Sequence, residues 1–200
     1  MPKINNTVEK YEGDPSELVG YQEINGHMIF DVNMGENFRQ KTRFFADGHK
    51  SKIPTSVTYS LVVSIDSVRI CLTIYDLNDL ETLIDDVENV FLTATWRDKV
   101  WTRAGPEFGI RERKIIIIKQ ALYGLKSSGD TFRAFLDEKL DDIGFKSSIA
   151  DPDFWMRTAT KPIGEKYSEY ILCYVDDLLC ISHDPKKVMN DIQSTLKFKN

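Results

Sequence analysis

What this 200-residue chain lacks narrows its reading first. No apolar run approaches the roughly 20 residues that a membrane-spanning helix requires, so no membrane association is expected. The opening residues, Met1-Pro2-Lys3-Ile4-Asn5-Asn6, lack the apolar stretch of a secretory signal. Three cysteines, Cys71, Cys173 and Cys180, have no zinc-type spacing, and as a disulfide framework they would leave one over. Together these absences place the chain in a reducing, intracellular setting, the cytoplasm first and the nucleus second. There is no P-loop and no glycine-rich dinucleotide fingerprint, so neither of those nucleotide-binding architectures is indicated. Repeats and low-complexity tracts are also missing. Nor is there a basic excess: 26 Lys and Arg against 31 Asp and Glu give a net charge of −5, a balance that taken whole argues against a nucleic-acid binder.

What is present is a foldable chain with unevenly placed charge. With 42% hydrophobic and 28% charged residues it can bury a core, and its length suits one domain or one and a half. Residues 39–52 carry Arg39, Lys41, Arg43, Lys50 and Lys52 with His49 against the single acid Asp47. Residues 76–88 carry Asp76, Asp79, Glu81, Asp85, Asp86 and Glu88 with no base. The first segment suits phosphates and the second suits cations; the plainer alternative is two solvated faces.

Hydrophobic periodicity gives the elements. Residues 1–20 read as a polar leader with little structure. Residues 27–32 and 39–45 read as strands, and alternation puts Arg39, Lys41 and Arg43 on one face with Gln40, Thr42 and Phe44 on the other. Residues 64–80 read as a helix whose wide apolar face, with Val68, Cys71, Leu72 and Tyr75, belongs in a core. Strands are expected at 82–87 and at 114–119, where four isoleucines stand in a row. An amphipathic helix over 131–143 presents Phe132, Phe135, Leu136, Leu140 and Ile143 and stops at Gly144. A hairpin spans 170–182. A last helix, capped by Asp184 and opened by Pro185, buries Val188, Ile192 and Leu196. This order suggests an α+β fold with a mostly antiparallel sheet. His27, His49 and His183 read as surface or turn residues, and Trp96, Trp101 and Trp155 as packing anchors.

The hairpin carries the chemistry. Two strongly apolar strands flank Asp176 and Asp177, with no glycine at the tip, although tight hairpin turns favour Asn-Gly or Asp-Gly. Adjacent carboxylates repel more as their surroundings become less polar. A divalent cation relieves that conflict, because carboxylate oxygens are what Mg²⁺ or Mn²⁺ requires. An ordinary exposed acidic turn is the competing reading. A second acidic group, Asp85, Asp86 and Glu88, stands at the end of an apolar strand, and charge counting does not choose among the three.

Asp86-Val87-Glu88-Asn89-Val90-Phe91-Leu92, Ala121-Leu122-Tyr123-Gly124-Leu125-Lys126 and Tyr174-Val175-Asp176-Asp177 resemble the catalytic motifs of reverse transcriptases of copia-type (pseudoviral) LTR retrotransposons. Residues 39–48 resemble the family's basic fingers strand. Residues 59–69 and Ala150-Asp151-Pro152-Asp153 are lesser matches. All occur in the family's order and cover about residue 21 to the C-terminus.

The resemblance implies a fingers and palm fold, with residues 21–80 mainly fingers and 81–200 mainly palm. It implies that Asp86, Asp176 and Asp177 are catalytic and hold two Mg²⁺ or Mn²⁺ ions, with the Val87 carbonyl beside Asp86. Lys41 and Arg43 would neutralise the dNTP triphosphate, Phe91 would crowd the sugar 2′ position, and Tyr123 and Gly124 would support the nucleotide. Tyr174 would lie near the primer terminus. Implied partners are an RNA or DNA template with primer, dNTP, and the integrase and ribonuclease H regions of a polyprotein. The resemblance also bears on the cysteines: a Val175-Asp176 tip, as in the family, keeps Cys173 and Cys180 apart, whereas an Asp176-Asp177 tip makes them face each other.

Two residues depart from the pattern: Glu88, where a neutral or basic residue is common, and Asp130, where a small residue usually enters a helix. The family also continues past the position of Asn200 with further palm strands, a primer grip, a thumb-like region and ribonuclease H. The expectation is therefore a polymerase domain cut short after its acidic hairpin, with weak or no activity alone because duplex affinity rests largely on phosphate contacts. A noncatalytic remnant or host-adopted binding module is the alternative. An unrelated phosphoryl-transfer enzyme fits the motif order poorly.

Overall fold

A computed structural model describes residues 7–34, 38–48, 62–88, 90–94, 98–193, 196 and 198. Their strands are β1 (Val8–Tyr11), β2 (Gln22–Glu23), β3 (Gly26–Asn33), β4 (Arg39–Ala46), β5 (Glu81–Asp86), β6 (Val100–Arg103), β7 (Ile115–Ile118), β8 (Lys146–Ser147), β9 (Phe154–Thr160), β10 (Lys166–Tyr174) and β11 (Asp177–Ser182). The helices are α1 (Ile65–Leu77), α2 (Val90–Thr93), α3 (Ser128–Asp142) and α4 (Pro185–Gln193). The result is a mixed α and β chain in two compact units, Met1–Tyr59 with Phe91–Phe132 and Ser60–Val90 with Arg133–Asn200. Neither is continuous in sequence.

In the first unit a four-stranded sheet runs in the order β1-β7-β6-β2, and β3 pairs with β4 as a separate antiparallel ribbon. The four isoleucines of β7 are all buried, as a strand covered on both faces requires. One correction concerns the expected leader: residues 8–11 form β1, paired along β7 from Val8 opposite Ile118 to Tyr11 opposite Ile115. The sequence looked polar there because an edge strand buries only part of its side chains.

In the second unit the five-stranded sheet β5-β11-β10-β9-β8 is antiparallel throughout. Val68, Cys71 and Tyr75 of α1 pack in one cluster with Leu172, Leu179 and Ile181 of the sheet. Ser64 caps α1 by accepting the Ser67 N–H at 3.1 Å. The wide apolar face expected of this helix is only partly used: Ile65, Ile70, Leu72 and Leu77 are exposed, since one sheet covers a single stripe. The part of α3 in this unit buries Leu136 and Leu140 completely. It ends as expected at Gly144, where φ is +88° and the Phe145 N–H reaches back to the Leu140 carbonyl. Helix α4 is capped by Asp184, which accepts the Lys187 N–H at 3.0 Å, and it buries Val188 and Ile192.

Cys71, Cys173 and Cys180 are buried free thiols. Burial raises the pKa of all three thiols, those of Cys71 and Cys180 to about 12. Trp101 and Trp155 are buried anchors; Trp96 and His49 lie outside the described residues. His27 and His183 are exposed, in keeping with surface positions.

A charged knot fastens the far end of the hairpin. Glu169 of β10 is buried and accepts from Arg157 Nε at 2.6 Å, Ser182 Oγ at 2.7 Å and Tyr167 OH at 2.8 Å. Arg157 also donates to the Ile143 carbonyl and stands 4.5 Å from the centre of the Phe145 ring. Burial pushes the Glu169 pKa up, but these donors outweigh it and hold it below its usual 4.5. A carboxylate depressed in the folded state adds stability above its unfolded value and loses it as pH falls through the folded one. Glu169→Gln is therefore expected to lower the urea midpoint at pH 7, and the gap from wild type should narrow as pH is taken below 4.5. A gap independent of pH would contradict this.

Candidate functional site

The turn between β10 and β11 decides which acids meet. Its two residues are Val175 and Asp176, because Tyr174 pairs with Asp177 as the last rung of the ladder. Val175 has φ +56°, the left-handed region that a β-branched side chain disfavours. With this tip Cys173 faces Leu178 and Cys180 faces Ile171, so the cysteines do not pair across the hairpin.

The same register continues into β5, where Asp177 faces Asp86 and Leu178 faces Asp85. Positions directly opposite in a sheet share a face. Tyr174, Asp177 and Asp86 therefore form a row across three strands at one end of the second unit's sheet. Asp85 belongs to the other face, and its Oδ1 accepts the Asp86 N–H at 3.0 Å. The register thus separates Asp86 from Asp85, which charge counting left open. Glu88 lies beyond the strand and is half-buried.

Asp176 is tied to β5 by its backbone: its carbonyl accepts the Val87 N–H at 2.8 Å. Tyr174 and Asp177 are exposed, whereas Oδ1 of Asp86 is shielded from solvent. Asp86 and Asp177 thus place two carboxylates directly opposite each other in the ladder, a pairing that like charges disfavour. Among the described residues no three His, Cys, Asp or Glu side chains converge closely enough to hold a metal by themselves. Carboxylate oxygens are the donors that Mg²⁺ takes, one or two from the protein with water and substrate phosphates completing its octahedron. Beside the row lies an apolar cavity of about 590 Å³ lined by Val62, Val68, Ile84, Leu172 and Leu179, with Tyr174 and Asp177 on its wall. Ile84, Leu179 and Leu172 are the next rung on the acids' face.

The first unit gathers another group of expected residues. Tyr123 is the centre: the Arg43 guanidinium lies 5.6 Å from its ring centre, Phe91 meets it edge-on at 5.0 Å and Phe45 is tilted against it at 5.5 Å. The Tyr123 carbonyl accepts the Ala46 N–H at 2.8 Å, joining the Ala121–Lys126 motif to the end of β4. Gly124 follows with φ +89°, and a Cβ there would fall 2.2 Å from the Ala46 carbonyl oxygen. Lys41 stands opposite Asp31 in the β3–β4 ladder; its side chain, like that of Arg39, is outside the described residues. Phe45 was not singled out from the sequence, although alternation puts it on the Arg43 face of β4.

Residues 20–200 match the family described as reverse transcriptase (RNA-dependent DNA polymerase). The chain is similar to the retrovirus-related Pol polyprotein from transposon RE1 of Arabidopsis thaliana, 31% identical over 160 residues, which covers 78% of this chain and 11% of the relative. The polyprotein from transposon RE2 of the same plant is 29% identical over 150 residues, covering 73% and 10%. That from transposon TNT 1-94 of Nicotiana tabacum is 25% identical over 169 residues, covering 81% and 12%. The chain thus spans about a tenth of the length of the curated relatives it matches.

Two substitutions test the backbone geometry. Val175→Gly should raise the unfolding free energy by about 1 kcal/mol, since release from positive φ exceeds the entropy cost of glycine. Gly124→Ala should lower it by roughly 2 kcal/mol or more, through both its φ and the clash. Urea denaturation followed by circular dichroism reads both; a destabilising Val175→Gly would show that the turn is not strained.

Proposed function

The chain belongs to the reverse transcriptase family, in the form found in copia-type retrotransposon Pol polyproteins, and from that premise we propose that it carries the catalytic acids of an RNA-directed DNA polymerase. In this reading the five-stranded sheet is the palm and the β3–β4 ribbon belongs to the fingers. The observation that carries it is the row of Tyr174, Asp177 and Asp86, with Asp176 at the adjoining turn.

Two divalent cations, when bound, would supply the Lewis acidity that activates a primer 3′-hydroxyl and the charge that stabilises departing pyrophosphate. Asp86 from β5 and Asp176 from the turn would hold them, with Asp177 a weaker, supporting ligand, and Val87 would offer its carbonyl. Tyr174, exposed at the end of the row, would pack near the primer terminus. In the first unit Arg43, steadied on the Tyr123 ring, and Lys41 would neutralise the triphosphate of a dNTP. Phe91 would crowd the sugar 2′ position in favour of deoxynucleotides, and Gly124 would let the backbone approach the nucleotide closely.

An RNA or DNA template with its primer is the proposed macromolecular substrate, and integrase and ribonuclease H regions are the proposed companions within a polyprotein. Among the described residues no helix is long and apolar enough to cross a membrane. A net charge of −5 gives the isolated chain little general attraction for nucleic acid. Primer extension by these 200 residues alone should accordingly be very weak.

Calorimetric titration with Mn²⁺ tests the site apart from polymerisation. The wild-type chain should bind, and Asp86→Asn should remove the signal. A wild-type chain that binds no Mn²⁺ would favour a noncatalytic remnant or binding module. Robust primer extension abolished by Asp176→Asn would overturn the expectation of weak activity while supporting the assignment of the acids.

A further inference from the structure

Strand β9 ends too soon to cover the tip of the hairpin. Its ladder with β10 stops at Phe154 opposite Leu172, two residues short of Tyr174. Beyond that point the Cys173 N–H donates to the Asp153 carbonyl at 3.0 Å, and the Cys173 carbonyl accepts the Val63 N–H at 3.0 Å. Val62 then forms an isolated antiparallel bridge with Tyr174. The outer edge of β10 next to the acidic turn is thus completed by a short segment from far away in sequence.

Two buried carboxylates hold that segment. Asp153 is fully buried and Asp151 is 8% exposed. Oδ2 of Asp153 accepts the Val62 N–H at 3.1 Å, and its Oδ1 accepts from Arg133 at 2.5 Å. Oδ2 of Asp151 accepts the Ser64 N–H at 2.9 Å and the Ser67 hydroxyl at 2.6 Å, while its Oδ1 accepts the Asp153 N–H at 3.1 Å. The donors Val62, Ser64 and Ser67 belong to the extended segment that runs into α1 and to the start of that helix; the acceptors belong to the loop that opens β9. Burying an ionised carboxylate costs several kcal/mol unless donors surround it. Two such groups side by side, aimed at one stretch of backbone, are an expensive way to pack a loop and an effective way to fix it.

We propose that Asp151 and Asp153 are positioning residues for the acidic tip, clamping Val62–Ser64 against β10 so that Tyr174 and, through it, Asp177 are held in register with Asp86. Metal-binding carboxylates function only when their supports hold them to within about 0.5 Å, and the clamp supplies that support from outside the hairpin. The consequence for metal affinity rests on the reading of Asp86 and Asp177 as ligands; the consequence for the order of the tip does not.

Hydrogen exchange on the metal-free 200-residue chain reads the second consequence directly. Asp153→Asn leaves one acceptor oxygen for two donors and points N–H groups at Val62 or Arg133. Exchange at Val63, Cys173 and residues 174–177 should rise roughly tenfold or more, while the amides of Tyr170, Ile171 and α4 change little. Ser67→Ala, which removes a single donor to Asp151, should raise the same amides by a smaller factor and serves if Asp153→Asn does not fold. Mn²⁺ affinity measured on the same proteins should fall roughly tenfold in Asp153→Asn, although Asp153 is not a ligand, in the range typical of residues that orient metal ligands.

Unchanged exchange at the tip, or a rise spread evenly over the whole sheet, would overturn the clamp and leave these acids as general fold stabilisers. Wild-type binding of Mn²⁺ with unaltered affinity in Asp153→Asn would refute the coupling to metal. A wild-type chain that binds no Mn²⁺ would remove the metal reading, and the exchange data would still decide the clamp.

Discussion

Everything proposed for the second unit depends on one register, the antiparallel alignment of β5, β11 and β10. It sets Asp86 against Asp177 and Asp177 against Tyr174. Side chains alternate along a strand, so a slip of one residue in β5 would present Asp85 in place of Asp86 and turn Ile84 away from the cavity. Three devices prevent the slip. The two-residue turn fixes β10 against β11, the Asp176 carbonyl takes the Val87 N–H, and Leu172 and Leu179 pack into the cluster shared with α1. The turn achieves this with a valine in positive φ, so local strain is tolerated where the register is decided.

The two units present their candidate groups differently. In the second, charges of one sign meet across a sheet, an arrangement that a cation would relieve. In the first, one cation is pressed against an aromatic cluster: Arg43 over Tyr123, with Phe91 and Phe45 on other sides of the same ring. An arginine so placed loses little further freedom when an anion arrives, because its fork is already oriented. Gly124 makes the cluster possible by letting the backbone after Tyr123 lie almost in contact with that of Ala46.

Much of this was legible in the sequence wherever the signal was local. The strand at β4, the isoleucines of β7, the Gly144 stop of α3 and the Asp184 cap of α4 are properties of a few neighbouring residues, and each appears as expected. The signal failed where partners were distant. Strand β1 needed β7, more than a hundred residues away, to reveal it as a strand. The choice between Asp85 and Asp86 needed the pairing of β5 with β11. The exposed flank of α1 could not be foreseen, because apolar spacing shows which side of a helix is greasy without showing how wide its partner is. Asp151 and Asp153 stood out only as part of a lesser match to the family, since nothing nearby in sequence announces that Val62, Ser64 and Ser67 donate to them.

The three cysteines carry a practical consequence for handling the molecule. With their pKa raised by burial, a negligible fraction of each is thiolate near neutrality. Air and alkylating reagents therefore find almost nothing to attack while the second unit stays closed, although each of these side chains is intrinsically reactive. A thiol-directed dye added to the native protein becomes a clock for opening: its rate of uptake reports how often this sheet and its helices part, with no engineered label needed.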